Sequence, residues 1–305
     1  MVTVKNNNRI RESAARTAFV WFNTIFLSLF ALLCLYPMLY VLFASLSNAT
    51  LLANKNGLLL APAGFTFVGY KMVFDNPSFG TGYINTLIYV IGGTFINLFM
   101  SSLGAYILSR KDLVIKKAFT IFVMVTMYFG GGMIPAFLNM KELGLFDTRW
   151  ALLLGGAIST YNMLILRTAF MSIPASLEES AQLDGAGDLR ILLIIVVPLS
   201  VASFAVVGMY YAVDHWNGWF NAMIYLDDRS KYPLQLILRE ILVTGSKETI
   251  ASTDEILDGT SDSEYNAYQV VKYCSIIVAT VPILVVYPFV QRFFVKGAMV
   301  GSVKG

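Results

Sequence analysis

The chain has 305 residues, 57% of them hydrophobic and only 13% charged, with a formal net charge of +3 and a single histidine. Soluble domains carry roughly 45–50% apolar and about 25% charged residues, so there are too few charges here to cover a water-exposed surface, and the implied solvent is lipid. No Lys/Arg run supplies the basic patch a nucleic acid needs, and His215 with two cysteines in apolar stretches (Cys34, Cys274) excludes a His-cluster metal centre and a disulfide framework.

A bilayer core of about 30 Å needs roughly 20 apolar helical residues. Six stretches qualify: 19–46, 83–108, 117–138, 150–171, 194–226 and 270–294. The expected fold class is therefore all-α, a polytopic membrane protein with six transmembrane helices spread over 19–294. Residues 1–18 and 295–305 are the expected cytoplasmic ends. Lys5, Arg9, Arg11 and Arg16 precede the first stretch, which is much longer than a signal-peptide core of roughly 7–15 residues and reads as an uncleaved span.

Several spans contain polar residues, which are costly in lipid and therefore functional by default. The second holds Asn97, Ser101 and Ser102; the fourth holds Ser159, Thr160, Tyr161 and Asn162. In the third, Tyr128 precedes Gly130-Gly131-Gly132 and Pro135, a break that either lines a path or is a plain kink. The fifth contains an internal turn region and ends in Asp214-His215-Trp216-Asn217. That cluster reads as an outer-interface anchor or cavity mouth, with Trp216 and Trp219 as aromatic-belt residues. A His/Asp proton relay is the competing reading.

Loop charge orients the chain. With the N-terminus inside, Arg110, Lys111, Lys116 and Lys117 crowd the shortest inner loop and both termini are cytoplasmic. The outer segment 227–269 is long and, from Lys247 onward, acidic and rich in Ser and Thr; loops of that length are commonly functional.

The inner segment 172–198 is the most informative. Pro174 suits a first helical position. Glu178 and Glu179 sit where the macrodipole favours carboxylates, Leu177 and Ala181 share a face, and Gly185 and Gly187 stop or bend the helix. This short amphipathic helix has four acidic residues and only Arg190 as a cation, a poor match to anionic lipid. Docking into a protein cleft is one reading and an ordinary solvated loop is the other.

Glu179-Ser180-Ala181, three residues, Gly185, nine residues and Ile195-Val196-Val197-Pro198 resemble the EAA loop of ABC importer permeases, with Ser180 for the first Ala and Val197 for Leu. Asp184-Gly185-Ala186 matches the same loop. The basic N-terminus and the tail Arg292 to Gly305 are similar to MalG-type subunits of carbohydrate importers. Tyr128 to Pro135 is similar to the LplB- and YtcP-like branch, associated with polysaccharide fragments such as alginate or pectin oligosaccharides.

The resemblance implies a type I importer permease in a heteromeric complex. Its partners would be a second homologous permease, two cytoplasmic ATPase subunits and an extracytoplasmic solute-binding protein that meets the outer loop. The location would be the bacterial cytoplasmic membrane. Glu178, Glu179, Ser180, Ala181, Asp184, Gly185 and Pro198 would form the ATPase-coupling loop. The substrate path would draw on Asn97, Ser101, Tyr128, Tyr161, Asn162, Asp214, His215 and Trp216, whose hydroxyls, amides and aromatic faces suit a sugar. Interhelical hydrogen bonding is the bland reading of each.

No cofactor is expected on this chain. Gly-x-x-x-x-Gly-Lys-Ser/Thr is missing from the sequence, so ATP and Mg belong to the partner ATPase. The chain is expected to be a transport subunit and not an enzyme, with a proton-coupled secondary transporter as the alternative.

Overall fold

The computed structural model describes residues 13–110, 116–244 and 261–302. The basic residues Lys5, Arg9, Arg11 and Lys111, the stretch 245–260 and the last three residues lie outside them. The described residues are overwhelmingly helical, and their only β feature is an isolated bridge between Ser47 and Phe65. The chain divides into two compact units, Met1–Tyr70 with Gly259–Ile277, and Lys71–Asp258 with Val278–Gly305.

In the first unit, α1 (Ala14–Ser45) starts where the Ser13 hydroxyl accepts the Arg16 amide. Phe19, Trp21, Phe22 and Leu33 all stand exposed along it. A helix apolar on every side needs a non-aqueous surrounding. Its far end is pinned by polar contacts. Leu59 N–H donates to Tyr36 Oη (3.1 Å), Ala63 N–H donates to Ser47 Oγ (2.9 Å), and the Ser45 and Tyr70 hydroxyls lie 2.8 Å apart. The short α2 (Ala49–Ala53) follows, then α3 (Val68–Phe74), which leads into the second unit.

The second unit is arranged on α4 (Pro77–Ser109), whose 33 residues extend about 50 Å at ~1.5 Å per residue. Beside the larger Phe79, Tyr89, Tyr106 and Leu108, its buried residues include a run of small or polar ones: Gly82, Thr86, Gly93, Asn97, Ser101 and Ala105. Such residues let helix backbones approach closely in lipid. A Cβ added at Gly93 would overlap the His215 ring. The remaining helices are α5 (Lys116–Tyr128), α6 (Met133–Glu142), α7 (Arg149–Leu154), α8 (Thr160–Met171) and α9 (Ala175–Leu183). After them come α10 (Asp188–Ile191), a π-helical stretch (Leu192–Val196), α11 (Val197–Leu199), α12 (Val201–Trp216), α13 (Trp219–Tyr225) and α14 (Leu234–Thr244). The long α15 (Ser261–Ser302) belongs to both units in turn.

Three of the expected spans are single long helices: α1, α4 and the Asn266–Pro288 part of α15. The others differ from expectation for local reasons. The third is two helices bent by 108° at the glycine triplet, where Gly132 takes φ +89°. The fourth is interrupted between α7 and α8, where Gly156 has φ +99°. The fifth turns by 91° at Ser200. Pro198 has no N–H to return to the preceding turn, and Val197 N–H already reaches back five residues to the Leu192 carbonyl. The outer segment also differs from a plain loop. It opens with a 3₁₀ turn (Arg229–Lys231) and α14, where Leu234, Leu236, Ile237 and Leu238 are buried.

Candidate functional site

Helix α9 carries the EAA-like pattern, and its ends explain the pattern's spacing. Pro174 stands at the N-cap, one position before the first helical residue expected of it. At the other end Ala186 N–H donates to Ala181 O and Gly185 N–H donates to Gln182 O, both at 2.9 Å. Together with φ +81° at Gly185 these bonds form a Schellman turn. Ala181 and Ala186 rest on the buried cluster that contains Leu166, Phe170, Ile191 and Val196. Glu179, Ser180 and Asp184 are exposed, and Leu183 is 90% exposed. Pro198 is also exposed, at the elbow beyond α10. The helix thus shows carboxylates and a bare leucine outward while its small residues seat it.

Glu178 does not join that outward set. Its carboxylate pairs with the Arg110 guanidinium at the C-cap of α4, and Arg110 also reaches Asp188 Oδ1 at 3.4 Å. The Arg110 and Glu178 side chains are only 19% and 15% exposed. The guanidinium lies 5.0 Å from the Tyr106 ring centroid. Lys116 Nζ donates to the Ser109 and Arg110 carbonyls, and Arg167 Nε donates to the Leu108 carbonyl. Three cations therefore meet the negative end of α4, as the macrodipole favours. Sequence reasoning took Arg110 only as an orientation charge. Its position at the end of an apolar run was the available signal.

A second feature is a polar recess of about 340 Å³ lined by Gly156, Ser159, Tyr161, Asn162, Tyr210, Tyr211 and Asp214. The α8 N-terminus supplies Ser159 to Asn162, and α12 supplies the two further tyrosines and the carboxylate. Tyr211 Oη lies 2.6 Å from Ser101 Oγ and accepts the Ser159 amide at 3.0 Å, fixing α4, α8 and α12 together. Tyr161, Asn162 and Asp214 are thus brought together, and Ser101 lies directly behind them. Tyr210 and Tyr211 were not singled out in the sequence.

The remaining candidates fall elsewhere. Asn97 is buried, donating to Gly156 O at 2.8 Å and meeting His215 Nε2 at 2.9 Å. Trp216 is 7% exposed and packs edge-on against Tyr83. Tyr128 is 73% exposed at the end of α5 and is not part of the recess lining. No group of His, Cys, Asp and Glu fit to hold a metal occurs among the described residues.

On the outer-segment side a polar knot surrounds Asp147, a non-glycine residue at φ +53°. Its Oδ1 accepts the Asp227 and Asp228 amides at 3.1 and 3.0 Å, and Lys231 Nζ lies 3.1 Å from its Oδ2. The Asp228 amide, followed by Lys231, holds the Asp147 carboxyl below its ordinary pKa. Burial works against the Lys231 ammonium, but its bonds to Asp147 and Asp228 outweigh this and raise its pKa. The same segment is tied to α4: Asn85 Nδ2 donates to the Ser230 carbonyl at 2.7 Å, Tyr89 Oη donates to the Lys231 carbonyl at 2.7 Å, and Leu234 N–H donates to Thr86 Oγ1 at 2.8 Å.

Long apolar helices, a recess lined by polar side chains and an exposed helix seated on the core fit a membrane transport subunit. The chain is 41% identical over 280 residues to the polygalacturonan/rhamnogalacturonan transport system permease protein YtcP of Bacillus subtilis, covering 92% of this chain and 96% of that one. It is 35% identical to protein LplC of the same organism, over 93% and 94% of the two chains. A crystal structure of a bacterial ABC transporter involved in import of the acidic polysaccharide alginate superimposes with a TM-score of 0.84 at 34% identity, covering 93% of this chain and 99% of that chain. No family model matches the sequence. The chain belongs to the carbohydrate ABC importer permeases. It is therefore a transport component and not an enzyme, and it works with ATPase and substrate-binding partners. A proton-coupled secondary transporter finds no support in these relatives.

Proposed function

We propose that this chain is one of two homologous permeases of an importer for acidic polysaccharide fragments. Two ATPase subunits bind it from the cytoplasm, and a solute-binding protein delivers substrate to the outer segment 227–269. The printed substrates of the relatives, polygalacturonan/rhamnogalacturonan and alginate, support the substrate class. ATP and Mg act on the ATPase subunits. The observation that carries the ATPase reading is α9: an exposed helix with the EAA pattern, stopped by a Schellman turn and seated on the core.

Glu179 faces a basic group on the ATPase, with Ser180, Asp184 and the bare Leu183 around it. Gly185 and Pro198 shape the backbone on either side of α10. ATP biases the permease only by binding one of its conformations more tightly. The recess around Tyr161, Asn162 and Asp214 forms this chain's wall of the sugar path, since it combines aromatic faces with hydroxyl, amide and carboxylate partners. Asn97, Ser101 and His215 support that wall from behind, while Tyr128 and Trp216 belong to the wider path and not to the recess itself.

Six crossings of the bacterial cytoplasmic membrane, with both termini inside, are the arrangement that loop charge supports. Non-helical backbone at membrane depth is tolerated where it is buried or lines a cavity. The test is purification of the tagged chain followed by uptake in vesicles. Co-purification with a second permease and an ATPase, with uptake of galacturonate oligomers driven by ATP, is expected. Uptake by the chain alone, driven by a proton gradient, would sink the reading.

A further inference from the structure

We propose that Arg110 is a positioning residue for transport, which makes α9 and α4 move as one piece. The proposal rests on the reading of α9 as the ATPase-docking helix. Three observations carry it. Arg110 is the C-cap of α4, so its backbone is continuous with the longest described helix of the second unit. Its guanidinium pairs with Glu178 of α9 and Asp188 of α10, on either side of the Gly185 turn. The Arg110–Glu178 pair is largely shielded while Asp188 is exposed, and the Tyr106 ring lies against the guanidinium from a further side.

A planar five-donor fork can hold two carboxylates at once, which a lysine ammonium does as a single flexible point. Apart from the Schellman turn and the small apolar contacts of Ala181 and Ala186, Arg110 gives α9 a charged tie to the end of α4. With Arg110 in place, a push on α9 reaches the end of α4 directly. At the other end of α4, Asn85, Thr86 and Tyr89 hold the segment 230–234 by hydrogen bonds. Midway, Asn97 holds the Gly156 carbonyl before α8 and meets His215 of α12, and Ser101 meets Tyr211 of α12 beside the recess. One rod thus joins the docking helix, the sugar recess and the outer segment. This continuity gives a route for force along α4.

The experiment uses the complete importer in proteoliposomes, with Tyr161→Cys introduced after Cys34 and Cys274 are replaced. Two quantities are read: ATP hydrolysis, and the change in maleimide reactivity at position 161 caused by ATP with vanadate. Arg110→Glu is expected to keep the ATPase bound and hydrolysing while the reactivity change falls about tenfold, a typical size for a lost coupling. Adding Glu178→Arg and Asp188→Asn is expected to restore most of it. A parental response in Arg110→Glu, or no recovery in the assembled charge-reversed variant, overturns the proposal. Should Arg110→Glu not assemble, Arg110→Lys is read the same way: a reduced response supports the proposal and a parental one overturns it. Glu179→Lys separates the two readings. If it leaves the ATPase bound and coupled, the docking assignment fails; if it releases the ATPase while Arg110→Glu responds normally, only the role of Arg110 fails.

Discussion

His215 Nε2 lies 2.9 Å from Asn97 Oδ1, and the same amide donates through Nδ2 to the Gly156 carbonyl at 2.8 Å. Because Nδ2 is the donor to a carbonyl, Oδ1 is the acceptor and the imidazole carries its proton on Nε2. The only histidine is thereby used as a hydrogen-bonded strut between α12 and α4. Asn97→Leu removes both bonds and leaves the imidazole and a carbonyl without them. A loss of about 1–3 kcal/mol per stranded group is expected, visible as a lower midpoint in thermal unfolding of the detergent-solubilised complex.

Gly93 gives an independent check on the same contact. Any Cβ there meets the His215 ring, whereas one at Gly80 on the same helix meets nothing within 4 Å. Gly93→Ala is expected to destabilise by about 1–3 kcal/mol through overpacking, and Gly80→Ala by far less. Combining Gly93→Ala with His215→Ala should recover much of the loss. Equal effects at the two glycines would show that helix propensity, and not the ring, sets the cost.

These contacts mark where sequence reasoning stopped. Composition and run length revealed the long spans, because α1 and α4 are apolar for longer than any soluble helix requires. The glycine triplet showed its break in advance, because Gly132 needs a backbone conformation that other residues avoid. The right-angle turn at Ser200 was only half visible: Pro198 is local, but the π-helical stretch before it depends on packing of Leu192 and Val196. Arg110 and Asp147 were invisible as partners, since each acts on residues 68 to 84 positions away, a separation with no periodic signal. The contact of Trp216 with Tyr83 had no signal either, because an indole near a helix end looks the same in sequence whatever it packs against.

Gly185 predicts a graded series. At φ +81° a β-branched residue is strongly disfavoured, while Asn tolerates the left-handed region. Gly185→Val is expected to cost about 1–2 kcal/mol at the turn and to lower ATPase co-purification. Gly185→Asn should lie between it and the parent. A Val variant that holds the ATPase as well as the parent does would show that the turn is not needed for docking.

The recess makes its own prediction for uptake. Asp214 is the one charged group in its lining, opposite the Tyr161 and Asn162 side. A hydrogen bond to a charged group is worth about 1.5–3 kcal/mol, so Asp214→Ala should weaken sugar uptake about tenfold or more while leaving assembly intact. Vesicle uptake of a labelled galacturonate oligomer measures it. Uptake at the parental level would remove Asp214 from the path.

The Asp147 knot predicts a pH dependence at the outer segment. The Asp147 carboxyl has a lowered pKa in the fold because it accepts the Asp228 and Asp227 amides and faces Lys231. A group depressed in this way contributes stability that is fully present above its unfolded value of about 3.9. That contribution is lost as pH falls through the lower folded value. Hydrogen exchange of the 225–231 amides should therefore stay slow from neutral pH down to about pH 4, relative to the intrinsic rate at each pH, and lose protection below it. Asp147→Asn keeps an oxygen for the two amides and suits φ +53°, but gives up the ion pair with Lys231. It should show weaker protection with most of the acid-side loss removed. Asp147→Ala gives up the amide bonds as well and should leave the segment poorly protected at every pH. If the Asn variant keeps the parental acid-side loss, another carboxylate, Asp228 first, controls the segment.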